Sequence, residues 1–125
     1  MSNVDDLLKT SRRTLEEARY LREGGYHEGS LSRAYYAMFY AAEAALLTVD
    51  VTASTHSGVH TMFGKHFIKT GALPAALGKH LGEAFRKRQS ADYGAAEKAP
   101  ADAREALKKA TEFIERIEAH LREQP

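Results

Sequence analysis

Arginine, histidine and tyrosine are the side chains of this sequence with types and spacing suited to chemistry. Arg33 is a cation in an apolar stretch that also contains Tyr36 and Tyr40, and His56 and Arg88 follow further along the chain. Histidine titrates near neutral pH, and a planar guanidinium stabilises charge on a phosphoryl group. These residue types are therefore typical of a site that binds phosphate or acts on it.

Arg33 needs a polar partner, because a charged side chain in an apolar helix must reach a carboxylate, a phosphate or the solvent. One interpretation is a structural Arg33–Asp92 ion pair that fixes the register of two helices. The alternative is a nucleotide- or RNA-binding site formed by Arg33, Tyr36, Tyr40, His56, Arg88, Asp92 and Tyr93. Tyr36 and Tyr40 lie one helical turn apart and share a stripe, and ordinary core packing of their rings stays open.

Metal and cofactor chemistry find little support in the sequence. His56 and His60 lie one helical turn apart, but no acidic third ligand is close to them in sequence, so we predict no metal site. The absence of cysteine excludes disulfides, thiolate zinc sites and cysteine nucleophiles. Glycine-rich phosphate loops, serine triads and paired-carboxylate patterns are also missing, and we predict no cofactor.

Proline and glycine divide the chain into five segments in which apolar residues recur at helical spacing. The predicted helices span about residues 4–23, 31–49, 56–70, 74–91 and 100–123. Ser30 is the predicted N-cap of the second helix, Thr55 or Ser57 that of the third, and Gly71 its C-terminal glycine. The second helix is apolar nearly all round, which places it at the centre of a bundle or in a subunit interface.

The length of 125 residues indicates a single domain with one core, spanning residues 1–125. A hydrophobic content of 43% and a charged content of 28% are typical of a globular chain. Because no apolar run reaches the roughly 20 residues that span a membrane and no leader is recognised, we predict a cytoplasmic protein. The net charge is only +1, so any RNA binding must be local, for example at the basic stretch 65–88, for which a solvated face is the alternative.

Four motifs carry a resemblance to a known family: Ser-Arg-Ala-Tyr-Tyr-Ala-Met-Phe at 32–39, Thr-His-Ser-Gly at 55–58, Phe-Gly-Lys-His-Phe at 63–67 and Arg-Gln-Ser-Ala-Asp-Tyr at 88–93. Together they resemble the small stand-alone prokaryotic branch of the HEPN superfamily, over about residues 7–121. The resemblance implies an all-α, four- to five-helix up-and-down bundle that forms a homodimer. It also implies a toxin–antitoxin setting in which a minimal nucleotidyltransferase is the partner.

Ribonucleases of this family carry an arginine followed, after four to six residues, by a histidine that acts as acid or base. The matching segment here begins at Arg88 and has Tyr93 where the histidine would fall. A tyrosine with an ordinary pKa near ~10 is a poor general base at neutral pH, so the sequence leans away from an enzyme. The resemblance also implies Tyr93 as a candidate acceptor of adenylate from the partner.

Three functions therefore stay open. The first is a binding module that acts with the nucleotidyltransferase and contacts nucleotide or RNA. The second is a metal-independent ribonuclease toxin with a degenerate motif, in which Arg88 or Arg33 works with His56 as substitute acid or base. The third is a purely structural dimeric interaction module.

Overall fold

The computed structural model describes the backbone of residues 2–92 and 100–123 and the side chains of residues 3–90 and 100–123. Five α-helices follow one another: α1 Ser2–Glu23, α2 His27–Leu47, α3 His56–Phe63, α4 Ala75–Asp92 and α5 Pro100–Glu123. A π-helical turn, Gly64–Ile68, extends α3. All regular structure in the described residues is helical, which confirms the predicted all-α bundle.

A glycine reversal turns the chain back between α1 and α2. Gly25 has a φ of +84°, the left-handed region that a residue with a Cβ enters only at a cost. The Tyr26 N–H donates to the carbonyl of Leu21 at 2.8 Å, and the Gly25 N–H to that of Arg22 at 3.0 Å. These paired bonds form a Schellman motif, which satisfies the last carbonyls of α1 and packs α2 against it.

Ser30 does not cap the second helix, and this prediction was wrong. The helix begins at His27 rather than near residue 31, so that Ser30 lies within its first turns and is fully buried. Its hydroxyl donates to the carbonyl oxygen of Ala18 in α1 at 2.8 Å. The reversal brings α2 so close to α1 that the hydroxyl bonds the neighbouring helix instead of the free N–H groups of its own.

The central position predicted for the second helix is confirmed. Helix α2 packs against α1, α4 and α5, and most of its residues are buried. Its buried small residues, which let neighbouring backbones approach closely, are Ala34, Ala37, Ala41, Ala42, Ala44 and Ala45. Large side chains such as Tyr35 and Met38 fill the spaces between the helices.

The third helix begins as predicted but changes geometry before it ends. Thr55 is the N-cap, because its Oγ1 accepts the N–H of Gly58 at 2.9 Å. The Lys69 N–H donates to the carbonyl of Gly64 at 2.8 Å, five residues back, which defines the π-helical turn. Gly71, with a φ of +80°, follows this turn, in agreement with the predicted C-terminal glycine.

Helices α4 and α5 agree with their predicted limits within a residue. The inward stripe of α5 is buried at Ala103, Leu107, Ala110, Ile114 and Ile117. Among the described residues, no helix combines the length and the apolar character needed to cross a membrane.

Candidate functional site

Rings from three helices meet beside the middle of α2. This aromatic cluster consists of Tyr35, Tyr36 and Phe39 from α2, His56 and His60 from α3, and Phe85 from α4. The His56 ring has its centroid 4.6 Å from that of Phe39 and 5.7 Å from that of Phe85. Because rings from α2 and α4 both contact it, the imidazole is held in one orientation where α3 begins.

The Tyr35 hydroxyl lies between the two histidines. Its oxygen is 2.8 Å from Nδ1 of His56 and 2.9 Å from Nε2 of His60. The Tyr35 side chain has no exposed surface, whereas both histidines are partly exposed. A buried phenol therefore links two imidazoles on successive turns of α3.

Burial sets the protonation of these groups. Desolvation, followed by the positive charge of Arg88, lowers the pKa of His56. Desolvation, followed by the charge of His56, lowers the pKa of His60. Desolvation also raises the pKa of Tyr35 far above its ordinary value. All three groups are therefore neutral at neutral pH, and each imidazole keeps one nitrogen that can accept a proton.

Two arginines approach the ring of Tyr36. The guanidinium carbon of Arg33 is 5.1 Å from the ring centroid and that of Arg88 is 5.2 Å away. Both distances lie within the range of cation–π attraction. Two permanent positive charges thus converge beside neutral histidines, an arrangement that favours an anionic ligand such as phosphate.

Five of the seven predicted site residues lie together in the structure. Arg33, Tyr36, His56 and Arg88 meet as described above, and the Tyr40 ring packs against Tyr36 with their centroids 6.2 Å apart. Both rings are partly exposed, and that of Tyr36 also packs against the main core.

The remaining predictions fall on residues that the structure does not describe. The side chain of Asp92 and the whole of Tyr93 lie outside the described residues, so the Arg33–Asp92 ion pair stays a prediction. Within the described chain, Arg33 Nη1 lies 3.5 Å from Glu17 Oε1. Because both side chains are substantially exposed, this pair contributes little to stability.

The linking role of Tyr35 and His60 was missed by sequence reasoning. Tyr35 resembles any other core aromatic in an apolar helix, and the spacing of His56 and His60 was considered only for metal binding. That spacing does place both imidazoles on one face of α3, which is the signal that could have found the pair. Within residues 3–90 and 100–123, no group of three or more histidine or acidic side chains could hold a metal ion.

Two large cavities lie away from the aromatic cluster. One, of about 670 Å³, is lined by residues near the start of α1 and the ends of α2 and α5, including Leu8, Val49 and Leu121. The other is an open groove of about 680 Å³ along α1, and Arg33 is its only lining residue from the predicted site. The aromatic cluster itself reaches the surface, because Tyr36, His56 and His60 are partly exposed.

These features define the class of protein: it is a helical bundle with a polar and aromatic site between its helices. The HEPN domain model matches residues 4–120, and the chain belongs to the HEPN family.

Similar proteins support this assignment. "Putative toxin MJ0142" of Methanocaldococcus jannaschii is 39% identical over 92 residues, which cover 74% of this chain and 63% of that protein. "UPF0332 protein glr0978" of Gloeobacter violaceus is 40% identical over 91 residues, 73% of this chain and 72% of the relative. "Putative toxin MJ0605" of M. jannaschii is 30% identical over 120 residues, 96% of this chain and 90% of that protein. The match to the first of these relatives thus covers less than two thirds of its length.

Proposed function

We propose that this HEPN domain is a toxin-type module that binds RNA, or a nucleotide, through Arg33 and Arg88, which both approach the ring of Tyr36. The observation that carries the proposal is the convergence of both guanidinium groups on one partly exposed tyrosine ring. Arginine suits phosphate because its planar fork of donors matches phosphate oxygens in pairs. The partly exposed ring of Tyr40, which packs against Tyr36, suits a nucleobase, because bases stack on aromatic rings.

Exposed basic residues elsewhere between residues 65 and 88 support a strand longer than a single nucleotide. Lys65 is an exposed cation of the π-helical turn, Lys69 follows that turn directly, and Lys79 and Arg86 are exposed on α4. A chain with a net charge of only +1 has no strong overall field, so these local charges matter most for attracting RNA. A merely solvated face would leave RNA affinity unchanged when they are neutralised.

Binding of a fluorescent single-stranded RNA, followed by anisotropy across a salt series, tests this function. Arg88→Ala and Arg33→Ala should each weaken binding at least several-fold. Each should also reduce the salt slope by about 0.7, the change expected for one lost contact to single-stranded phosphate. Arg116→Ala, an exposed arginine on α5, is the matched control and should leave both quantities unchanged. Equal affinity of all four proteins would refute the proposal.

The proposed partner is a minimal nucleotidyltransferase. Its support is the resemblance to toxin–antitoxin pairs, together with two relatives that are named as toxins. Co-expression with a nucleotidyltransferase encoded beside the gene should yield a stable complex. Incubation of that enzyme with ATP and the wild-type chain should add adenylate to Tyr93. Intact-mass analysis of Tyr93→Phe, which should stay unmodified, identifies the acceptor.

The proposed homodimer uses the open groove along α1. Tyr20 lines this groove and is 76% exposed, so its ring is available to a second copy. The groove is lined by both signs of charge, with Arg13, Arg19 and Arg33 beside Glu16, Glu17 and Glu23. A surface that carries both signs can pair with a second copy of itself about a two-fold axis. Sedimentation should give a dimer for the wild type and a monomer for Tyr20→Ser, whereas a monomeric wild type would exclude this assembly.

A second candidate function is metal-independent ribonuclease activity. The observation that favours it is the ordered and neutral His56, which is held by Tyr35 and lies close enough to Arg88 for that charge to lower its pKa. A neutral imidazole can take a proton from the RNA 2′-hydroxyl, while an arginine stabilises charge on the phosphate. Cleavage of RNA in the presence of EDTA, abolished in Arg88→Ala, would establish this activity and replace the pure binding module.

A further inference from the structure

We infer that Tyr35 joins His56 and His60 into a proton relay, in which His60 stores the proton that His56 takes up and later returns. The relay is carried by the two hydrogen bonds that meet at the Tyr35 hydroxyl oxygen. Its use in RNA cleavage rests on the second candidate function, but its existence in the protein does not.

The single proton of the Tyr35 hydroxyl limits which hydrogen bonds it can make, and this limit defines the relay. A phenol carries one proton, so it donates to only one of the two imidazole nitrogens beside it, and the other imidazole must donate to the phenol oxygen. Tyr35 is fully buried, and among the described residues only His56 and His60 lie within hydrogen-bond distance of its hydroxyl. A state in which both rings donate would leave the phenol proton without an acceptor, which is costly in a buried site.

The two remaining states fix the tautomers of both histidines together. When Tyr35 donates to Nδ1 of His56, that ring carries its proton on Nε2, and His60 donates from its own Nε2. When Tyr35 donates to Nε2 of His60, that ring carries its proton on Nδ1, and His56 donates from Nδ1. In their neutral forms the two histidines are therefore both Nε2–H or both Nδ1–H, and never mixed.

This coupling lets one histidine serve as base and then as acid. In the Nδ1–H state, Nε2 of His56 has a free lone pair and accepts the proton of an attacking 2′-hydroxyl. The Nδ1 proton of His56 then passes to the Tyr35 oxygen, and the phenol proton passes to Nε2 of His60, which becomes the cation. When the 5′-oxygen leaves, His56 donates its Nε2 proton, and the same two protons move back. One proton has passed from the 2′-oxygen to the 5′-oxygen, and every group is restored.

The surroundings of the relay let His60 hold the proton only briefly, because burial lowers its pKa and favours return of the proton to His56. The charged and titratable groups that act on it are Arg88 from α4 and Tyr36 and Glu43 from α2. Burial keeps the Tyr35 phenol neutral, so it passes a proton only while it receives another, and no phenolate has to form. Ring contacts from Phe39 and Phe85 keep the histidines aligned with the hydroxyl.

Nitrogen NMR of the full chain at a pH of about 8, where both histidines are neutral, tests the relay directly. Long-range ¹H–¹⁵N spectra report which nitrogen of each ring carries the proton. The relay predicts the same tautomer in both rings of the wild type. It also predicts that Tyr35→Phe shifts the ¹⁵N signals of His56 Nδ1 and His60 Nε2. Tyr26→Phe, which removes an exposed hydroxyl in the α1–α2 turn, is the control and should leave both signals unchanged. Mixed tautomers in the wild type, or unchanged signals in a folded Tyr35→Phe, would overturn the proposal.

Cleavage kinetics separate the relay from the function it would serve. If the wild type cleaves RNA, His60→Gln should lower kcat by about 100-fold, the usual contribution of acid–base catalysis, with RNA affinity unchanged. A kcat unaffected by this substitution would overturn the catalytic use of His60. If the wild type does not cleave RNA, the second candidate function fails, and the tautomer experiment still decides whether the relay exists.

Discussion

The hydroxyl of Tyr35 on α2 lies 2.9 Å from Nε2 of His60 on α3, and the same oxygen lies 2.8 Å from Nδ1 of His56. These bonds connect the central helix to a short helix that contacts it far less than α1, α4 and α5 do. They are thus both part of the candidate site and part of what holds α3 in place.

Tyr35→Phe should destabilise the fold while preserving it. The ring that packs against Phe85 is retained, but both histidines lose a hydrogen-bond partner at a partly buried site. Leaving such groups unsatisfied costs about 1–3 kcal/mol of the free energy of unfolding. Urea denaturation followed by circular dichroism measures the loss. Tyr26→Phe, at an exposed hydroxyl in the α1–α2 turn, should change stability by less than about 0.5 kcal/mol.

Acidification should weaken the fold through the same two histidines. Burial lowers the pKa of His56 and of His60 in the folded state, so the unfolded chain binds more protons once the pH falls below its ordinary histidine pKa of 6.5. The contribution of the two neutral histidines to the free energy of unfolding is complete above pH 6.5. It declines as the pH falls through their lowered pKa values in the folded state. The urea midpoint should therefore drop between about pH 7 and pH 5, with a smaller drop in His56→Gln/His60→Gln. An equal drop in both proteins would assign the effect to other groups.

The sequence predicted the helices well and one of their boundaries poorly. Apolar spacing predicted that these segments are helices, and the proline and glycine breakers set the limits of α4 and α5, which agree with the structure within a residue. The start of α2 was predicted wrongly, because a serine after a glycine-rich turn is typical of an N-cap, and only tertiary packing shows that Ser30 bonds the Ala18 carbonyl. The π-helical turn at Gly64 was also not predicted, since the local residue types do not distinguish it from an α-helix.

The sequence predicted the charged and aromatic residues of the candidate site but not Tyr35, which links the two histidines. Arg33, Arg88 and His56 stand out in sequence because their types are unusual in their surroundings. Tyr35 does not, because a single hydroxyl in an apolar helix is recognised as a site residue only once its partners on another helix are known. Long-range pairing of this kind depends on the packing of α2 against α3, which one sequence alone does not specify.

Two glycines should respond in opposite directions to the same substitution. Gly25→Ala places a Cβ at a φ of +84°, where a side chain is strained, and should cost about 1 kcal/mol of stability. Gly64→Ala should instead stabilise by about 0.4–1 kcal/mol, because its backbone is helical with a φ of −58° and open space surrounds the added Cβ. Thermal denaturation of both variants beside the wild type measures the difference. Stabilisation by Gly25→Ala would contradict the left-handed reversal after α1.

Glu43 on α2 should be a destabilising charge at neutral pH. Its carboxylate is partly buried and lines a small cavity of about 80 Å³ beside Leu46, Val51 and Val59. Desolvation raises its pKa in the folded state, so the folded chain holds a proton there at a pH where the unfolded chain has released it. The contribution of the Glu43 carboxyl to the free energy of unfolding therefore falls as the pH rises from its ordinary pKa of 4.5 through its raised pKa in the folded state.

Glu43→Gln keeps the shape of the side chain and removes this charge. The variant should be more stable than the wild type at pH 7, by an amount on the order of 1 kcal/mol because the group is only partly buried. The difference in urea midpoint between the two proteins should shrink as the pH falls towards and below 4.5, where the wild-type carboxyl becomes protonated in both states. Comparing the two proteins at each pH removes the histidine effect, which is common to both. A variant less stable than the wild type at pH 7 would show instead that the carboxylate has a favourable partner in the folded protein.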